Sequence, residues 1–227
     1  MYKVIEIFKS IDGEGKRAGE VTTFIRLSGC NLACAWCDTA YSQSGTCGIM
    51  TTLPEIINEV ESLNCKNITL TGGEPLIHNE VDNLIMELIT LGYDVNVETN
   101  GSVDPSKYIL DEEYNNKLGK VWFTIDYKSK SSKMQDKMNI KHFINLRDED
   151  VIKFVVGSKE ELEDAAFFIA SLESVLEHKP YIYFSPVFNM IEPVEIVNFM
   201  IGRNFSSKCR IQLQLHKIIW DPNTIGV

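Results

Sequence analysis

Short apolar runs alternate with amphipathic helical patterns along this chain, and this alternation constrains the fold more than any other feature. Parallel strands need crossovers of this kind, which are right-handed. The pattern predicts an α/β fold, a partial (βα) barrel of about six parallel strands. We expect a single domain over residues 1–227, because no linker or repeat interrupts the pattern. The predicted strands are 2–8, 21–27, 66–71, 94–98, 121–126, 151–156, 181–184 and 210–215.

The helices are predicted from apolar residues at helical spacing. In the first helix, Leu53, Ile56 and Val60 share one face. Pro54 suits its first turn, where a missing N–H leaves no hydrogen bond unmade. The predicted helices are 53–63, 81–89, 159–176 and 194–200.

Composition limits the classes of protein to which the chain can belong. The net charge of −10 disfavours a nucleic-acid-binding surface, and we interpret the basic run 128–133 as a solvated loop. No apolar run reaches the roughly 18 residues of a membrane span. The start of the chain lacks the apolar region of a signal peptide. We therefore expect a cytoplasmic protein without a membrane partner, in a compartment where thiols stay reduced.

Three cysteines within eight residues, Cys30, Cys34 and Cys37, form a CxxxCxxC pattern after the strand 21–27. A tetrahedral zinc site or an ordinary electron-transfer cluster uses four protein ligands. Three thiolates can bind three corners of a cubane cluster and leave its fourth metal open to another ligand. An open metal of this kind is typical of a reactive site. Buried thiols, or a zinc site completed by a distant residue, remain alternatives at this point. We expect Cys47, Cys65 and Cys209 to be free thiols.

Polar motifs follow other predicted strands at their carboxyl ends. The first is Gly72-Gly73-Glu74-Pro75, in which two glycines let the backbone approach a ligand closely. Glu98 to Gly101 and Asp126-Tyr127-Lys128 end the next two strands. Ligands bind at this edge of open α/β sheets. A further turn, Asp12-Gly13-Glu14-Gly15, can turn backbone N–H groups toward a ligand.

The cysteine loop and the GGEP motif, in this order, resemble the radical S-adenosylmethionine (radical SAM) superfamily. The resemblance implies a [4Fe-4S] cluster on Cys30, Cys34 and Cys37, whose unique iron binds SAM. It also implies that one electron cleaves SAM to a 5′-deoxyadenosyl radical, which abstracts a hydrogen atom. The SAM-binding residues implied are Trp36, Asp38, Gly72, Gly73, Glu74, Glu98, Asp126, Tyr127 and Lys128.

The flanking residues resemble the 7-carboxy-7-deazaguanine synthase family over essentially the whole chain. They are the Asp12–Gly15 turn, Arg26, Cys37-Asp38-Thr39 and the tail from Gln214 to Val227. The resemblance implies conversion of 6-carboxy-5,6,7,8-tetrahydropterin to 7-carboxy-7-deazaguanine with loss of ammonia, on the route to queuosine. It implies Mg²⁺ on Thr39, an oxygen ligand that suits a hard cation. The substrate-binding residues implied are Ile11, Asp12, Gly13, Glu14, Arg26, Thr71, His216 and Val227.

Arg26 offers a planar fork for the pterin carboxylate. The family turn often has Gln where this chain has Asp12, which adds a negative charge beside the substrate. The resemblance also implies an external electron donor such as a flavodoxin and a homodimer. A radical SAM activase of a partner protein, or a non-catalytic zinc or iron-sulfur module, remain alternative functions.

Overall fold

The sheet is the framework of the molecule. The computed structural model describes residues 1–203, 205, 207–221 and 224–226, which contain a nine-stranded sheet. Its strands are β1 (Tyr2–Ile11), β2 (Val21–Leu27), β3 (Ile49–Thr51), β4 (Asn67–Gly72), β5 (Asp94–Thr99), β6 (Val121–Lys128), β7 (Val151–Val156), β8 (Tyr181–Pro186) and β9 (Cys209–Ile211). The spatial order is β3-β1-β2-β4-β5-β6-β7-β8-β9.

From β2 to β9 all neighbouring strands pair in parallel, whereas β1 pairs antiparallel with both β2 and β3. The α/β class predicted from the sequence is therefore confirmed, with an antiparallel extension at one edge. The last strand is shorter than the predicted 210–215. It ends at Ile211 because the chain then leaves the sheet, and the Leu215 N–H bonds to the Gly13 carbonyl at 3.1 Å.

The helices cover one face of the sheet and enclose the apolar core. Helix α1 starts with a capping box, in which Thr52 and Glu55 satisfy each other's backbone N–H groups. Apolar residues of α2, including Leu84 and Leu88, are fully buried. No helix in the described residues combines the length and apolar character needed to cross a bilayer. The helices are α1 (Leu53–Ser62), α2 (Val81–Thr90), α3 (Ser106–Leu110), α4 (Glu112–Asn115), α5 (Lys159–Glu173), α6 (Pro193–Arg203) and α7 (His216–Ile219).

The other face of the sheet is concave and polar. The loop between β1 and β2 closes its amino-terminal end. There the Arg17 guanidinium donates to the carbonyl groups of Ile68 at 2.6 Å and Asp94 at 3.0 Å, and it stacks 4.7 Å from the Trp122 ring centroid. The carboxyl-terminal end remains open. Because successive side chains of a strand point to opposite faces, alternate residues of β4 to β7 line this interior.

Candidate active site

One cavity of about 790 Å³ occupies the open end of the barrel, and it contains most of the residues predicted from the sequence. Its walls come from the β1–β2 loop, the cysteine loop, the carboxyl ends of β4 to β8 and the C-terminal segment. The predicted residues that line it are Ile11, Asp12, Gly13, Glu14, Arg26, Cys30, Cys34, Trp36, Cys37, Asp38, Thr39, Thr71, Gly72, Gly73, Glu98, Asp126, Lys128 and His216. Val227 lies outside the described residues.

The three cysteines lie on the loop that follows β2. Each is a partly exposed free thiol facing this cavity. The loop is fixed at its start by the Cys30 N–H, which donates to the Gln43 carbonyl at 3.0 Å, and it turns where the Cys37 N–H meets the Cys34 carbonyl at 3.3 Å. Burial raises the pKa of the Cys30 and Cys34 thiols, and the Lys128 ammonium group opposes this shift in both.

The chemistry of the cysteine loop suits a cluster, because three thiolates can each bind a different iron of a cubane. The Cys30 sulfur also accepts hydrogen bonds from the Leu32 N–H at 3.4 Å and the Asn100 amide at 3.5 Å. These donors favour the thiolate that a metal requires.

The GGEP motif packs directly against the cysteine loop. The Gly73 N–H donates to the Leu27 carbonyl at 3.1 Å. A Cβ on Gly73 would lie 2.3 Å from the Gly29 carbonyl oxygen and 2.8 Å from the Cys30 Cβ. Only glycine fits here, because a methyl group would push the cysteine loop away.

Glu74 does not line the cavity, contrary to the sequence-based prediction of a SAM contact. Its side chain is fully buried and accepts hydrogen bonds from the Leu76 N–H at 3.0 Å, the Thr99 hydroxyl at 2.8 Å and the Asn100 N–H at 2.6 Å. Burial raises the pKa of Glu74 to about 7 against the opposing effect of these donors. The carboxyl group joins the end of β4 to the end of β5, so it positions the Gly72–Gly73 backbone.

A charged cluster lines the cavity wall formed by β6, β7 and the turn after β1. Lys153 of β7 lies 3.2 Å from a Glu14 oxygen and 3.0 Å from an Asp126 oxygen, and Lys128 lies 2.9 Å from the other Asp126 oxygen. Burial raises the pKa of Asp126, but the two ammonium groups outweigh it and hold the pKa below its usual value. Burial raises the pKa of Glu98 to about 7, although Lys153 opposes this shift.

Tyr127 lies between two residues of this cluster but faces away from the cavity, again contrary to prediction. Its ring packs 4.3 Å from the ring of Phe168 and 5.3 Å from that of Phe154. Asp126 and Lys128 share one face of β6, and the alternation of side chains places Tyr127 on the other. The Tyr127 side chain therefore belongs to the core.

The turn after β1 brings two carboxylates into the cavity wall. Asp12 is buried, accepts a hydrogen bond from the Thr69 hydroxyl at 3.0 Å and lies 3.7 Å from the Arg17 guanidinium. Burial raises the pKa of Asp12 to about 6, although Arg17 and Thr69 oppose this shift. Glu14 differs, because its Oε1 atom is buried and has no hydrogen-bond partner among the described residues. A buried carboxylate oxygen of this kind requires a donor, and the cavity is where a ligand would supply one.

Arg26 and Thr71 are adjacent partners on β2 and β4 at the same end of the sheet. The Arg26 Nε–H donates to a Glu6 oxygen at 2.6 Å, and the Tyr41 hydroxyl donates to the same oxygen at 3.0 Å. Within the described part of the chain, the two terminal nitrogens of Arg26 have no hydrogen-bond partner. The pair with Glu6 therefore fixes the guanidinium and leaves its terminal nitrogens available for an anion.

Asp38 and Thr39 line the cavity beside the C-terminal segment. The Thr39 hydroxyl donates to an Asp38 oxygen at 2.9 Å, while Lys217 lies 3.4 Å from the other oxygen. Burial acts to raise the pKa of Asp38, but Lys217 and Thr39 outweigh it and lower the pKa to about 2. Asp38 is therefore ionised at neutral pH. His216 packs against the turn at Gly13. A Cβ added to Gly13 would lie only 2.7 Å from the His216 Nδ1 atom.

Comparisons with known proteins identify the family of this chain. The Radical SAM superfamily profile matches residues 24–155. A 7-carboxy-7-deazaguanine synthase from Clostridium acetobutylicum is 40% identical over 229 aligned residues, which cover 100% of this chain and 99% of that protein. A protein of the same name from Methanospirillum hungatei is 35% identical, with 97% and 86% covered. The chain belongs to the 7-carboxy-7-deazaguanine synthase family of radical SAM proteins.

Solved structures support the fold of this family member. The crystal structure of QueE from Escherichia coli superposes with a TM-score of 0.71 at 21% identity, covering 94% of this chain and 93% of that one. Streptococcus suis SuiB bound to its precursor peptide SuiA gives a TM-score of 0.56 at 13% identity, over 81% of this chain and 46% of SuiB. These likenesses concern the fold.

Two cavity residues of this family member were missed by the sequence-based prediction. Lys153 is the only charged residue in the otherwise apolar strand β7, and it is 5% exposed. A lysine inside an apolar strand was a usable signal, because a buried ammonium needs carboxylate partners. Asn100 belongs to the Glu98 to Gly101 motif but was not singled out as a site residue, because its contact with the Cys30 sulfur depends on how two separate loops pack.

Proposed function

We propose that this protein converts 6-carboxy-5,6,7,8-tetrahydropterin to 7-carboxy-7-deazaguanine with loss of ammonia, a step toward queuosine and other deazapurines. One observation carries the proposal. A single cavity collects the cysteine loop, the glycine motif and the Asp12–Glu14 turn, in a chain related end to end to 7-carboxy-7-deazaguanine synthases. Its volume of about 790 Å³ is sufficient for two small ligands side by side.

The cysteine loop would hold the cluster, and the neighbouring strand ends would hold SAM. The cluster and SAM, when bound, supply one-electron chemistry that abstracts a hydrogen atom from the substrate. The Gly72–Gly73 backbone would receive the methionyl end of SAM, next to the cysteines. Glu98 and Asp126 offer carboxylate oxygens for hydroxyl groups of the ribose, and Trp36, Asp38 and Lys128 complete the wall.

The pterin would bind between the turn and Arg26. The unpartnered Oε1 atom of Glu14 supports this, because the amino and ring N–H groups of a pterin are the donors that it lacks. Arg26 would bind the pterin carboxylate with its terminal nitrogens. Asp12 would contribute to the same wall, and His216 packs against the turn from the C-terminal side.

Further substrate contacts would come from Ile11, Gly13, Thr71 and Val227. Thr224, Ile225 and Gly226 line the cavity, which supports the contribution of Val227. Deleting Val227 is expected to raise KM for the pterin.

Mg²⁺ would bind beside Thr39. The Thr39 hydroxyl and the ionised Asp38 carboxylate are oxygen donors of the kind that this cation prefers. Thr39→Ala is expected to weaken Mg²⁺ binding, measured by calorimetry on the protein with SAM and substrate. An unchanged Mg²⁺ affinity would contradict this assignment.

The cluster also requires an external reductant, for which we propose a small electron-transfer protein such as a flavodoxin. We further propose a homodimer. The edge strand β3 supports a dimer interface, because its apolar residues Ile49 and Met50 are 76% and 52% exposed. Light scattering of the purified protein tests this stoichiometry.

A single-turnover assay without oxygen tests the main proposal. Reconstituted protein, reductant, SAM, Mg²⁺ and 6-carboxytetrahydropterin are incubated, and the products are identified by mass spectrometry. We expect a product lighter by ammonia, with SAM regenerated rather than consumed, and no product from Cys34→Ala. Cleavage of SAM without conversion of the pterin would support radical SAM chemistry but refute the proposed reaction. If protein with a complete cluster does not cleave SAM, both the radical SAM chemistry and the proposed reaction are refuted.

A further inference from the structure

The turn after β1 is closed at its base by its own backbone. The Asp12 N–H donates to the Glu20 carbonyl at 2.7 Å, and the Gly19 N–H donates to the Asp12 carbonyl at 2.8 Å. These two bonds join the start and the end of the β1–β2 loop, but they do not reach Glu14. The position of Glu14 therefore depends on contacts from other parts of the fold.

The segment that follows β9 supplies two of these contacts. The Leu215 N–H donates to the Gly13 carbonyl at 3.1 Å, and the Gln212 side-chain amide donates to the Gly15 carbonyl at 3.2 Å. Glu14 is the residue between these two glycines. Gln212 and Gly15 are 197 positions apart in the sequence, so their bond exists only because the far edge of the sheet meets the β1–β2 loop.

The Gly15 carbonyl determines how the Gln212 amide is oriented. A carbonyl oxygen only accepts hydrogen bonds, so the amide nitrogen must face Gly15 and the Oε1 atom must point away from it. Gln212 is 6% exposed, and its Oε1 atom is buried without a hydrogen-bond partner among the described residues. The backbone of Gln212 is fixed as well, since its N–H donates to the Phe184 carbonyl at 2.8 Å.

This orientation of Gln212 is unfavourable for stability. A buried amide oxygen without a donor carries a desolvation penalty, which an apolar side chain of similar length would avoid. The bond to Gly15 offsets only part of this penalty, and the Gly15 carbonyl has a second donor in the Ala18 N–H at 3.4 Å. A buried residue that does not stabilise the fold indicates a role in the neighbouring site.

We propose that Gln212 is a positioning residue for the pterin, because it holds the Gly15 carbonyl and thereby keeps the Glu14 carboxylate directed into the cavity. The proposal rests on the function proposed above, in which Glu14 accepts hydrogen bonds from the pterin. The described residues that line the cavity include Gly13 and Glu14 but neither Gly15 nor Gln212. Gln212 therefore acts through the turn and does not touch the substrate.

The ion pair of Glu14 with Lys153 needs this support. The Lys153 ammonium lies 3.2 Å from the Glu14 Oε2 atom and 3.0 Å from an Asp126 oxygen. An ion pair of this kind restrains one carboxylate oxygen but does not fix the peptide groups on either side of Glu14. The bond from Gln212 restrains the backbone, so that Oε1 faces the ligand while Oε2 stays with Lys153.

The test is Gln212→Met in the reconstituted holoenzyme. Met keeps the length of the side chain but removes both the amide donor and the unpartnered oxygen. The matched control is Ser185→Ala. Ser185 follows Phe184, the partner of Ile211 in the β8–β9 pairing, so it lies beside Gln212. It is fully buried, its hydroxyl also lacks a partner within the described chain, and no hydrogen bond described there joins its hydroxyl to the turn.

We expect Gln212→Met to raise KM for the pterin about two- to tenfold, the net effect of one neutral hydrogen bond, with kcat changed by less than about twofold. Cleavage of SAM without pterin should not change, because the amide of Gln212 bonds to the turn and not to the cysteine loop. The midpoint of urea denaturation should not fall, since the unpartnered oxygen is removed together with the bond. Ser185→Ala should match the unchanged protein in every one of these measurements.

Hydrogen exchange gives a measurement that does not depend on the substrate. In the metal-free, reduced protein, the peptide that covers residues 12–20 should exchange faster in Gln212→Met than in the unchanged protein or in Ser185→Ala. If the unchanged protein fails to convert the pterin, the proposed function fails. Faster exchange would then still support the role of Gln212 in holding the turn, and unchanged exchange would overturn it.

Three further results would overturn the proposal. The first is an unchanged KM in Gln212→Met when the unchanged protein converts the pterin. The second is a raised KM together with a lower denaturation midpoint or a failure to fold, because Gln212 would then be a stabilising residue only. The third is an equal rise of KM in Ser185→Ala.

Discussion

Replacing Lys153 by Met should destabilise the protein and loosen the turn proposed to bind the pterin. Lys153 is 7% exposed in its side chain and bridges Glu14 of the β1–β2 loop to Asp126 of β6. Met keeps most of the length and apolar stem of the lysine but removes the charge. Glu14 would then have neither of its oxygens paired, because its Oε1 atom already lacks a partner among the described residues.

The size of the effect follows from the two distances. Unit charges about 3 Å apart interact by about 5 kcal/mol at an effective dielectric constant of about 20, and the cost of desolvating the ammonium cancels much of this gain. Loss of one partner of a buried ion pair typically costs about 3–5 kcal/mol. Asp126 retains Lys128 at 2.9 Å, so the uncompensated charge falls mainly on Glu14. We therefore expect the free energy of unfolding to fall by about 3 kcal/mol at neutral pH.

Urea denaturation of the metal-free, reduced protein measures this change for Lys153→Met, Glu14→Gln and the double variant. The double variant should be more stable than the sum of the two single losses predicts, with a coupling energy above about 1 kcal/mol, because removing both charges leaves neither unpaired. A loss below about 1 kcal/mol in Lys153→Met, or no coupling to Glu14, would refute the reasoning. Lys153→Met should also raise KM for the pterin.

Three further changes test other parts of the cavity. Arg26→Ala should raise KM for the pterin about tenfold or more, because a charge-assisted hydrogen bond is worth about 1.5–3 kcal/mol. The cluster content of the protein should not change. An unaltered KM in steady-state assays would exclude the role of Arg26 in binding the carboxylate. Gly73→Ala should lower the iron content of reconstituted protein, because the added methyl group would overlap the cysteine loop. In the control Gly202→Ala the added methyl group would have no atom within 4 Å, so this variant should bind iron like the unchanged protein. Burial raises the pKa of Asp12 from 3.8 to about 6 and of Glu74 from 4.5 to about 7, so the folded state binds more protons than the unfolded state between these values. The free energy of unfolding should therefore fall as the pH rises from about 4 to about 7, by about 3 kcal/mol per group. Glu74→Gln should show a smaller fall in a pH series of urea denaturations, and an identical pH profile would contradict that assignment.

Much of the fold is determined by local pattern. Strand β7 matches its predicted limits, and β2 does as well, because each is a short apolar run with clear ends. The short β3 and the helices α3 and α4 were not predicted, since three to five residues give too little periodicity to recognise. The parallel order follows from the crossovers, so the motifs at the carboxyl ends of strands meet at one edge.

The sequence by itself determined the cysteine spacing, the glycines beside it and the family to which the chain belongs, because these depend on residues close together in the chain. The tertiary structure alone decided which polar side chains face the cavity and which partners they have. Glu74 turned inward to backbone donors, and Tyr127 joined the core on the opposite face of β6. Lys153 meets Glu14 across 139 positions of sequence. Such pairings arise only when the sheet curves and brings its ends together, and no local pattern encodes that closure.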